Sequence, residues 1–337
     1  MTTPLLRVGE QLYKNKLDSI LISSVSNIIY LTNYSGFSTE EREAYLLIGK
    51  NFQYILTDGR YTHAIKTLIS DFKLIEISSK LSAKDALKKL IKKHKIKKLG
   101  FEGHSITHIE HKSLSKTLRK IYHIDLNSLR TIKTENEISK IEKACELGDK
   151  TFDYILKKIK LGVSEKELAT EIEFFIKRNG GETSFRTIVA FGKNSAIPHH
   201  QTSDKRLAII DKFVLLDFGV KLNNYCSDMT RTIFFDKPTT EQKKMYETVL
   251  EAQRLAISRC HAEFISASRP KGILKSSKRT FLLRGGAVQD DTEIKASEVD
   301  QIARKHIISK GYKTIPHSVG HGIGIDVHEN PHLSPKS

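Results

Sequence analysis

The stretch "LLDFGVKLNNYCSDMTRTIFF" (residues 215–235) has the clearest β-hairpin pattern in this chain. Two apolar, β-rich runs flank a polar turn centred near Leu222 and Asn223, and this pattern predicts an antiparallel hairpin. In a hairpin centred there, Asp217 and Asp228 are directly opposite and point to the same face of the sheet. Two carboxylates whose Cβ atoms are about 5 Å apart repel each other unless a cation lies between them.

A divalent metal would relieve that repulsion, and oxygen ligands suit ions such as Mn²⁺, Co²⁺, Fe²⁺ or Zn²⁺. The structural alternative is that one aspartate caps a turn and the other pairs with Arg231 or a lysine. The hairpin by itself leaves both interpretations open.

A second stretch, "PHSVGHGIGIDVHENP" (residues 316–331), contains His317, His321 and His328. His321 stands between two glycines, which allow close approach of the backbone, and imidazole is the commonest ligand for such metals. A single histidine is more often structural, but three of them interleaved with glycines favour a functional site.

A third stretch, "GKNSAIPHHQTSD" (residues 192–204), places His199 and His200 after loop-forming residues. On its own it is equally compatible with an ordinary surface loop.

The chain divides into two regions. Residues 1–130 alternate strands and helices, which predicts an α/β domain. Capping boxes at Thr134 and Glu137 and at Ser164 and Glu167 each open a helix, and residues 134–337 mix helices with β-rich runs. Within them, residues 259–293 are basic and lack a steady period, so we interpret them as an insertion that forms a surface loop or a disordered segment.

Composition narrows the class of protein. The 337 residues are 39% hydrophobic and 28% charged, without a run of apolar residues long enough for a transmembrane helix. Three widely spaced cysteines fit reduced thiols, and the N-terminus lacks a secretory signal, so we expect a cytoplasmic protein. The net charge of +17 comes mostly from lysines spread along the chain, which favours solvated surface over a nucleic-acid site.

Taken together, the motifs resemble those of the aminopeptidase P and prolidase family, the M24 metallopeptidases with the pita-bread fold. The matching text is "NSAIPHH", "LLDFGVKLNNYCSDMTRTI", "KASEVDQIAR" and "HSVGHGIGIDVHENP", in the family's order. The N-terminal text "YLTNYSGFS" and "LTDGRYTHAI" resembles a creatinase-like domain. The resemblance implies an α/β creatinase-like domain over residues 1–130 and an α+β pita-bread peptidase domain over residues 134–337.

The resemblance also implies roles for individual residues. Asp217, Asp228 and His321 are the implied metal ligands. His199 and His328 are the implied catalytic residues, and with His317 they would bind substrate. His200 has no counterpart and is interpreted as loop.

The implied activity is metal-assisted hydrolysis of the bond that precedes proline at the N-terminus of peptides. It would use two divalent ions, Mn²⁺ first, with Co²⁺, Zn²⁺ or Fe²⁺ as alternatives. The two-domain layout favours an Xaa-Pro aminopeptidase. The alternatives are an Xaa-Pro dipeptidase and a non-catalytic protein that binds peptides or nucleic acid. Proline-containing peptides and a second copy of the chain are the expected partners.

Two further ligands in this family are glutamates that follow the His328 motif. The printed chain ends at Ser337, so we expect a pita-bread domain that is incomplete at its C-terminus. Such a chain would be inactive alone or would be completed by a second polypeptide.

Overall fold

The computed structural model describes residues 3–267 and 294–337. The chain forms two compact units, Met1–Arg130 and Thr131–Ser337. Among the helices described, none combines the length and the apolar character that a membrane crossing requires.

The N-terminal unit is a mixed β-sheet with helices. Its helices are α1 (Pro4–Lys14), α2 (Val25–Thr32), α3 (Thr62–Leu68), α4 (Ala83–Lys93) and α5 (His108–Thr117). Its strands are β1 (Ser19–Ile22), β2 (Ala44–Gly49), β3 (Phe52–Asp58), β4 (Lys73–Ile77), β5 (Lys98–Phe101) and β6 (Lys120–His123). The strand order is β4-β3-β2-β1-β5-β6, and only the pairs of β2 are antiparallel. Leu47, Leu56 and Leu99 of the sheet pack with Leu87 and Leu90 of α4 in one apolar core.

The C-terminal unit combines long helices with short antiparallel sheets. Its helices are α6 (Glu135–Leu156), α7 (Glu165–Arg178), α8 (Thr240–Ala267) and α9 (Ala296–Ser309). Its strands are β7 (Glu182–Thr183), β8 (Ile188–Phe191), β9 (Phe213–Phe218), β10 (Val220–Leu222), β11 (Tyr225–Cys226), β12 (Met229–Phe234), β13 (Gly320–Gly322) and β14 (Glu329–Leu333). The described strands form the sheets β12-β9-β8, β11-β10-β7 and β13-β14.

Helices α6 and α7 cover one face of the β12-β9-β8 sheet. Both begin with the predicted capping box, in which the hydroxyl of Thr134 or Ser164 and a glutamate three residues later exchange hydrogen bonds. Their apolar residues pack with Val214, Leu216 and Phe218 of β9. Because side chains alternate along a strand, Asp217 lies on the opposite face of the sheet from this core.

Helix α8 is longer than predicted. It continues to Ala267, through residues that we had assigned to the start of an insertion with loop or disordered structure, so that assignment is wrong for residues 259–267. The physical reason is local, since no glycine or proline interrupts the chain before Pro270. The rest of the predicted insertion, residues 268–293, lies outside the described residues.

Candidate metal centre

The hairpin that carries the two aspartates has a different register from the predicted one. In the β9–β12 ladder, Asp217 is opposite Thr230, and Asp228 precedes the strand. The turn is centred on Asn223 and Asn224, whose φ values are 50° and 72°, as in the two-residue turns that match the twist of antiparallel strands. The predicted centre was one residue too early, which moved the register by two residues. The prediction that Asp217 and Asp228 are directly opposite is therefore wrong.

The two aspartates are nevertheless electrostatic neighbours. Burial raises the pKa of Asp217, and the negative charge of Asp228 raises it further. A hydrogen bond from the Thr230 hydroxyl to Asp217 Oδ1, at 2.8 Å, acts in the opposite direction. The charge of His199 also lowers this pKa, so the His199 side chain is electrostatically coupled to this part of the site.

Asp228, His321 and His328 form a cluster. Each offers one ligand atom, and these atoms all lie within 4.8 Å of one another. His321 Nε2 is 3.3 Å from Asp228 Oδ2, and the centroids of the two imidazole rings are 4.4 Å apart. Among the side chains that the structure describes, those of residues 3–260 and 294–337, no other set of three histidine, cysteine or acidic groups is arranged in this way.

The orientation of His321 suits a metal ligand. Its Nδ1 lies 3.0 Å from the carbonyl oxygen of Gly322, so a proton on Nδ1 leaves Nε2 free to face Asp228. Metal-bound histidines commonly have this arrangement, with the second ring nitrogen donating to a carbonyl. The hydrogen bond with Asp228 raises the pKa of His321, and burial opposes that shift. An imidazole nitrogen beside a carboxylate oxygen fits a borderline divalent ion.

Strand β11 joins the aspartate hairpin to the histidine motif. The backbone N–H of Cys226 donates to the carbonyl of Gly324 at 2.7 Å, and its thiol donates to the carbonyl of Ile325 at 3.3 Å. These bonds lie two residues before Asp228 and only three or four residues after His321. They therefore hold the two ligand-bearing segments side by side.

A buried ion pair holds the residues between the two histidines. Lys133 Nζ is 2.9 Å from Glu329 Oε2, with side chains 9% and 5% exposed. The other oxygen of Glu329 accepts the backbone N–H of Asp326 at 3.1 Å. Our reading of the sequence did not identify either residue, because they are 196 positions apart.

Close backbone contact at Gly322 brings the two histidines together. The β13–β14 register is irregular after His321, and Gly322 pairs with Glu329. A Cβ atom at position 322 would lie 2.4 Å from the carbonyl oxygen of Asn330. Only glycine allows this contact, which explains why a glycine follows His321 directly.

His317 lies outside the cluster. Its side chain is exposed, and its Nδ1 is 2.7 Å from the carbonyl of Ser318. Its own carbonyl accepts a hydrogen bond from Arg304, which forms an ion pair with the fully buried Asp300. Asp300 also accepts the backbone N–H of Val319 at 3.3 Å. The "KASEVDQIAR" motif thus supports the backbone that leads into His321.

His200 lies outside any helix or strand, in agreement with its interpretation as loop, and its side chain also contacts a buried carboxylate. Its Nε2 is 2.8 Å from Oε2 of the fully buried Glu165. Glu165 is a third residue whose role the sequence did not reveal. A glutamate directly after the cap of α7 is ordinarily interpreted as favourable charge at a helix start, and its buried partners are remote in sequence.

Comparisons with known proteins agree with this fold. Residues 139–268 and 287–337 match metallopeptidase family M24, and residues 5–132 match the creatinase/prolidase N-terminal domain. The Xaa-Pro dipeptidase of Pyrococcus furiosus is 34% identical over 332 residues, which cover 95% of this chain and 82% of that protein.

Two solved structures are also similar. The Xaa-Pro dipeptidase of Bacillus anthracis has a TM-score of 0.82 and 30% identity, with 99% of this chain and 84% of that one covered. The X-Pro aminopeptidase of Thermotoga maritima has a TM-score of 0.76 and 30% identity, with 95% and 84% covered.

The fold and the cluster define a metal-dependent peptidase with a creatinase-type N-terminal domain and a pita-bread domain, so the expected fold class is confirmed. The chain belongs to metallopeptidase family M24. This membership makes it a hydrolase that depends on divalent metal ions.

Proposed function

We propose that this chain is an Xaa-Pro dipeptidase, which hydrolyses the bond preceding proline in a dipeptide. The observation that carries the proposal is the cluster of Asp228, His321 and His328, whose ligand atoms lie within 4.8 Å of one another. We assign Asp217, Asp228 and His321 as three of the ligands of two divalent ions, with Mn²⁺ as the preferred metal. When bound, such ions activate water for attack on a carbonyl and stabilise the developing negative charge.

The remaining histidines suit a substrate that lacks an amide N–H. The bond preceding proline has no such donor, so its carbonyl oxygen is the main polar group to recognise. His328 is exposed beside His321 and can donate a hydrogen bond to that oxygen as charge develops on it. We assign His199 to the side of the substrate opposite His328, next to Asp217. We assign His317 to substrate binding at the exposed entrance of the site.

The names of the relatives support a dipeptidase over the aminopeptidase that the sequence favoured. The similar protein of Pyrococcus furiosus and the similar structure from Bacillus anthracis are both Xaa-Pro dipeptidases. The similar aminopeptidase structure has a lower TM-score. We therefore replace our first interpretation with the dipeptidase.

The proposal is tested with the purified full chain and Mn²⁺, on Ala-Pro, Ala-Pro-Ala and Ala-Ala. We expect hydrolysis of Ala-Pro and of neither other peptide, a result that would also overturn the expectation that this chain is inactive without a second polypeptide. Preferential release of alanine from the tripeptide would favour the aminopeptidase interpretation over the dipeptidase. A chain that binds Mn²⁺ by calorimetry but cleaves none of the three would favour the non-catalytic alternative.

Asp228→Asn tests the assignment of the metal ligand. We expect Mn²⁺ binding to be lost and Ala-Pro hydrolysis to fall by more than about 100-fold, because losing even an outer partner of a ligand costs about 10–100-fold. The matched control is Asp236→Asn, an exposed aspartate beyond the far end of β12 that pairs with Lys212. It should stay within about twofold of the parent. Equal losses in the two variants would refute the assignment.

A further inference from the structure

The segment that carries His199 has little regular structure of its own. We define the His199 segment as residues 192–204. Its first residues form a short 3-10 helix, Gly192–Ala196, and residues 197–204 lie in neither a helix nor a strand. The backbone N–H of His200 donates to the carbonyl of Ile197 at 3.1 Å, which is a local turn bond. What fixes this segment must therefore come from outside it.

The carboxylate of Glu165 contacts the residue directly before the segment, and the segment itself near its start, in its middle and near its end. Oε1 accepts the backbone N–H of Phe191 at 2.9 Å and the side-chain amide of Asn194 at 2.7 Å. Oε2 accepts His200 Nε2 at 2.8 Å, and both the backbone N–H and the hydroxyl of Ser203 at 2.9 and 2.6 Å. Five donors thus converge on one buried side chain, and they lie on both sides of His199.

The chemistry of these contacts requires a carboxylate. An ionised carboxylate only accepts hydrogen bonds, and its two oxygens offer about four lone-pair sites. A glutamine of the same shape would turn an NH₂ group towards two or three of the donors, whichever way its amide is oriented. The side chain of Glu165 is 0% exposed, so water cannot replace the lost acceptor.

Helix α7 supplies a rigid base for this contact. The backbone N–H groups of Glu165 and Lys166, the first two residues of α7, donate to the carbonyls of Lys205 and Ser203 at 3.0 and 3.1 Å. The apolar residues Leu168 and Ile172 anchor the same helix in the core. The segment is therefore attached to a well-packed helix start.

We propose that Glu165 is a positioning residue that fixes His199 beside the metal centre, with His200 as the link between them. This inference rests on the proposed function for the role of His199. Glu165 lies outside the metal-ligand set and acts through the placement of the segment. A loosened segment would leave His199 present but misplaced, and misplacement of about 1 Å is enough to lower a rate substantially.

The first test follows the segment directly. Hydrogen–deuterium exchange of peptides from residues 192–204 should become about tenfold faster in Glu165→Gln, as expected from losing one hydrogen bond to a charged group. The matched control is Glu167→Gln, on the same first turn of α7, where the exposed carboxylate bonds only within the capping box and near Arg206. It should leave exchange in residues 192–204 unchanged.

A second variant covers the case in which Glu165→Gln fails to fold. His200→Ala removes one of the five donors and leaves Glu165 with four, so the fold should persist. We expect faster exchange around residues 197–201 in this variant. The proposal would be overturned if hydrogen–deuterium exchange in residues 192–204 were as slow in His200→Ala, or in a folded Glu165→Gln, as in the parent.

The second test is a double-mutant cycle on Ala-Pro hydrolysis with His199→Ala. If Glu165 acts through His199, Glu165→Gln lowers kcat/KM by about tenfold in the parent and has no further effect once His199 is absent. It should also reproduce the division of the loss between kcat and KM that His199→Ala shows. Equal losses in both backgrounds would indicate a general structural role and overturn the proposal.

The two tests also separate this inference from the proposed function. If the parent chain does not cleave Ala-Pro, the proposed function fails and the exchange experiment still decides whether Glu165 fixes the segment. If the parent is active but the cycle is additive, the dipeptidase stands and the positioning role fails.

Discussion

The aspartates and the histidines of this site are held in place by different means. Asp217 lies within a six-pair antiparallel ladder between β9 and β12, and Asp228 directly precedes it. The histidines lie in short or irregular segments that are held by buried carboxylates on helices. Glu165 at the start of α7 holds the His199 segment, and Asp300 on α9, with Arg304, holds the backbone before His321.

This difference separates two sources of precision. A ladder fixes the backbone positions of its residues through main-chain hydrogen bonds, so the polar side chains on its open face are not needed to hold it together. A buried carboxylate fixes a segment through a few bonds to one charged group, and removing either partner leaves an unsatisfied buried group. We therefore expect the stability of the histidine side to be sensitive to the loss of one buried polar partner, and the stability of the aspartate side to tolerate substitutions in the turn and at polar positions of the ladder.

The largest effect should come from Arg304→Met. It leaves the carboxylate of Asp300, which is 0% exposed, without its charge partner, and breaking a buried pair in this way costs about 3–5 kcal/mol. Urea unfolding should show a correspondingly lower midpoint. The control Arg254→Met removes an exposed partner of Glu251 at 3.8 Å and should cost no more than about 0.5 kcal/mol. Similar urea midpoints for the two variants would show that the histidine side does not depend on its buried ion pair.

A smaller loss of stability should follow when Glu165 becomes protonated at low pH. Burial raises the pKa of this carboxyl, but the hydrogen bonds from Ser203, His200 and Asn194 outweigh it and the net pKa is lowered. A lowered folded-state pKa contributes stability above the ordinary glutamate value of 4.5, and that contribution is lost as the pH falls through the folded-state value. The effect is smaller than that of Arg304→Met because a protonated carboxyl still accepts some of its hydrogen bonds.

The measurement is the difference in urea midpoint between the parent and Glu165→Gln at several pH values. This difference should be constant above the ordinary pKa of glutamate and should shrink below it. A difference that grows as the pH falls would mean that the pKa of Glu165 is raised in the folded state. Glu165 would then not hold the segment as a carboxylate.

The sequence predicted the parts of the site that depend on local patterns. The capping boxes of α6 and α7, the β-rich hairpin and the histidine cluster all follow from residues close together in the chain. The turn at Asn223 and Asn224 was also readable, because adjacent asparagines tolerate positive φ, yet we centred it one residue too early. The buried pair of Lys133 and Glu329 was not predictable, since the two residues are 196 positions apart and no periodicity links them.

The smallest effect should come from the turn on the aspartate side. Asn224 has a φ of 72°, and alanine in this left-handed region costs roughly 1 kcal/mol more than a residue that tolerates it. Asn224→Ala should therefore lower the urea midpoint slightly, while Asn224→Gly keeps or raises it. Both variants should bind Mn²⁺ as the parent does, because the ladder from Met229↔Phe218 to Phe234↔Phe213 still sets the register. Loss of Mn²⁺ binding in folded Asn224→Ala would show that the turn, and not the ladder, places the aspartates.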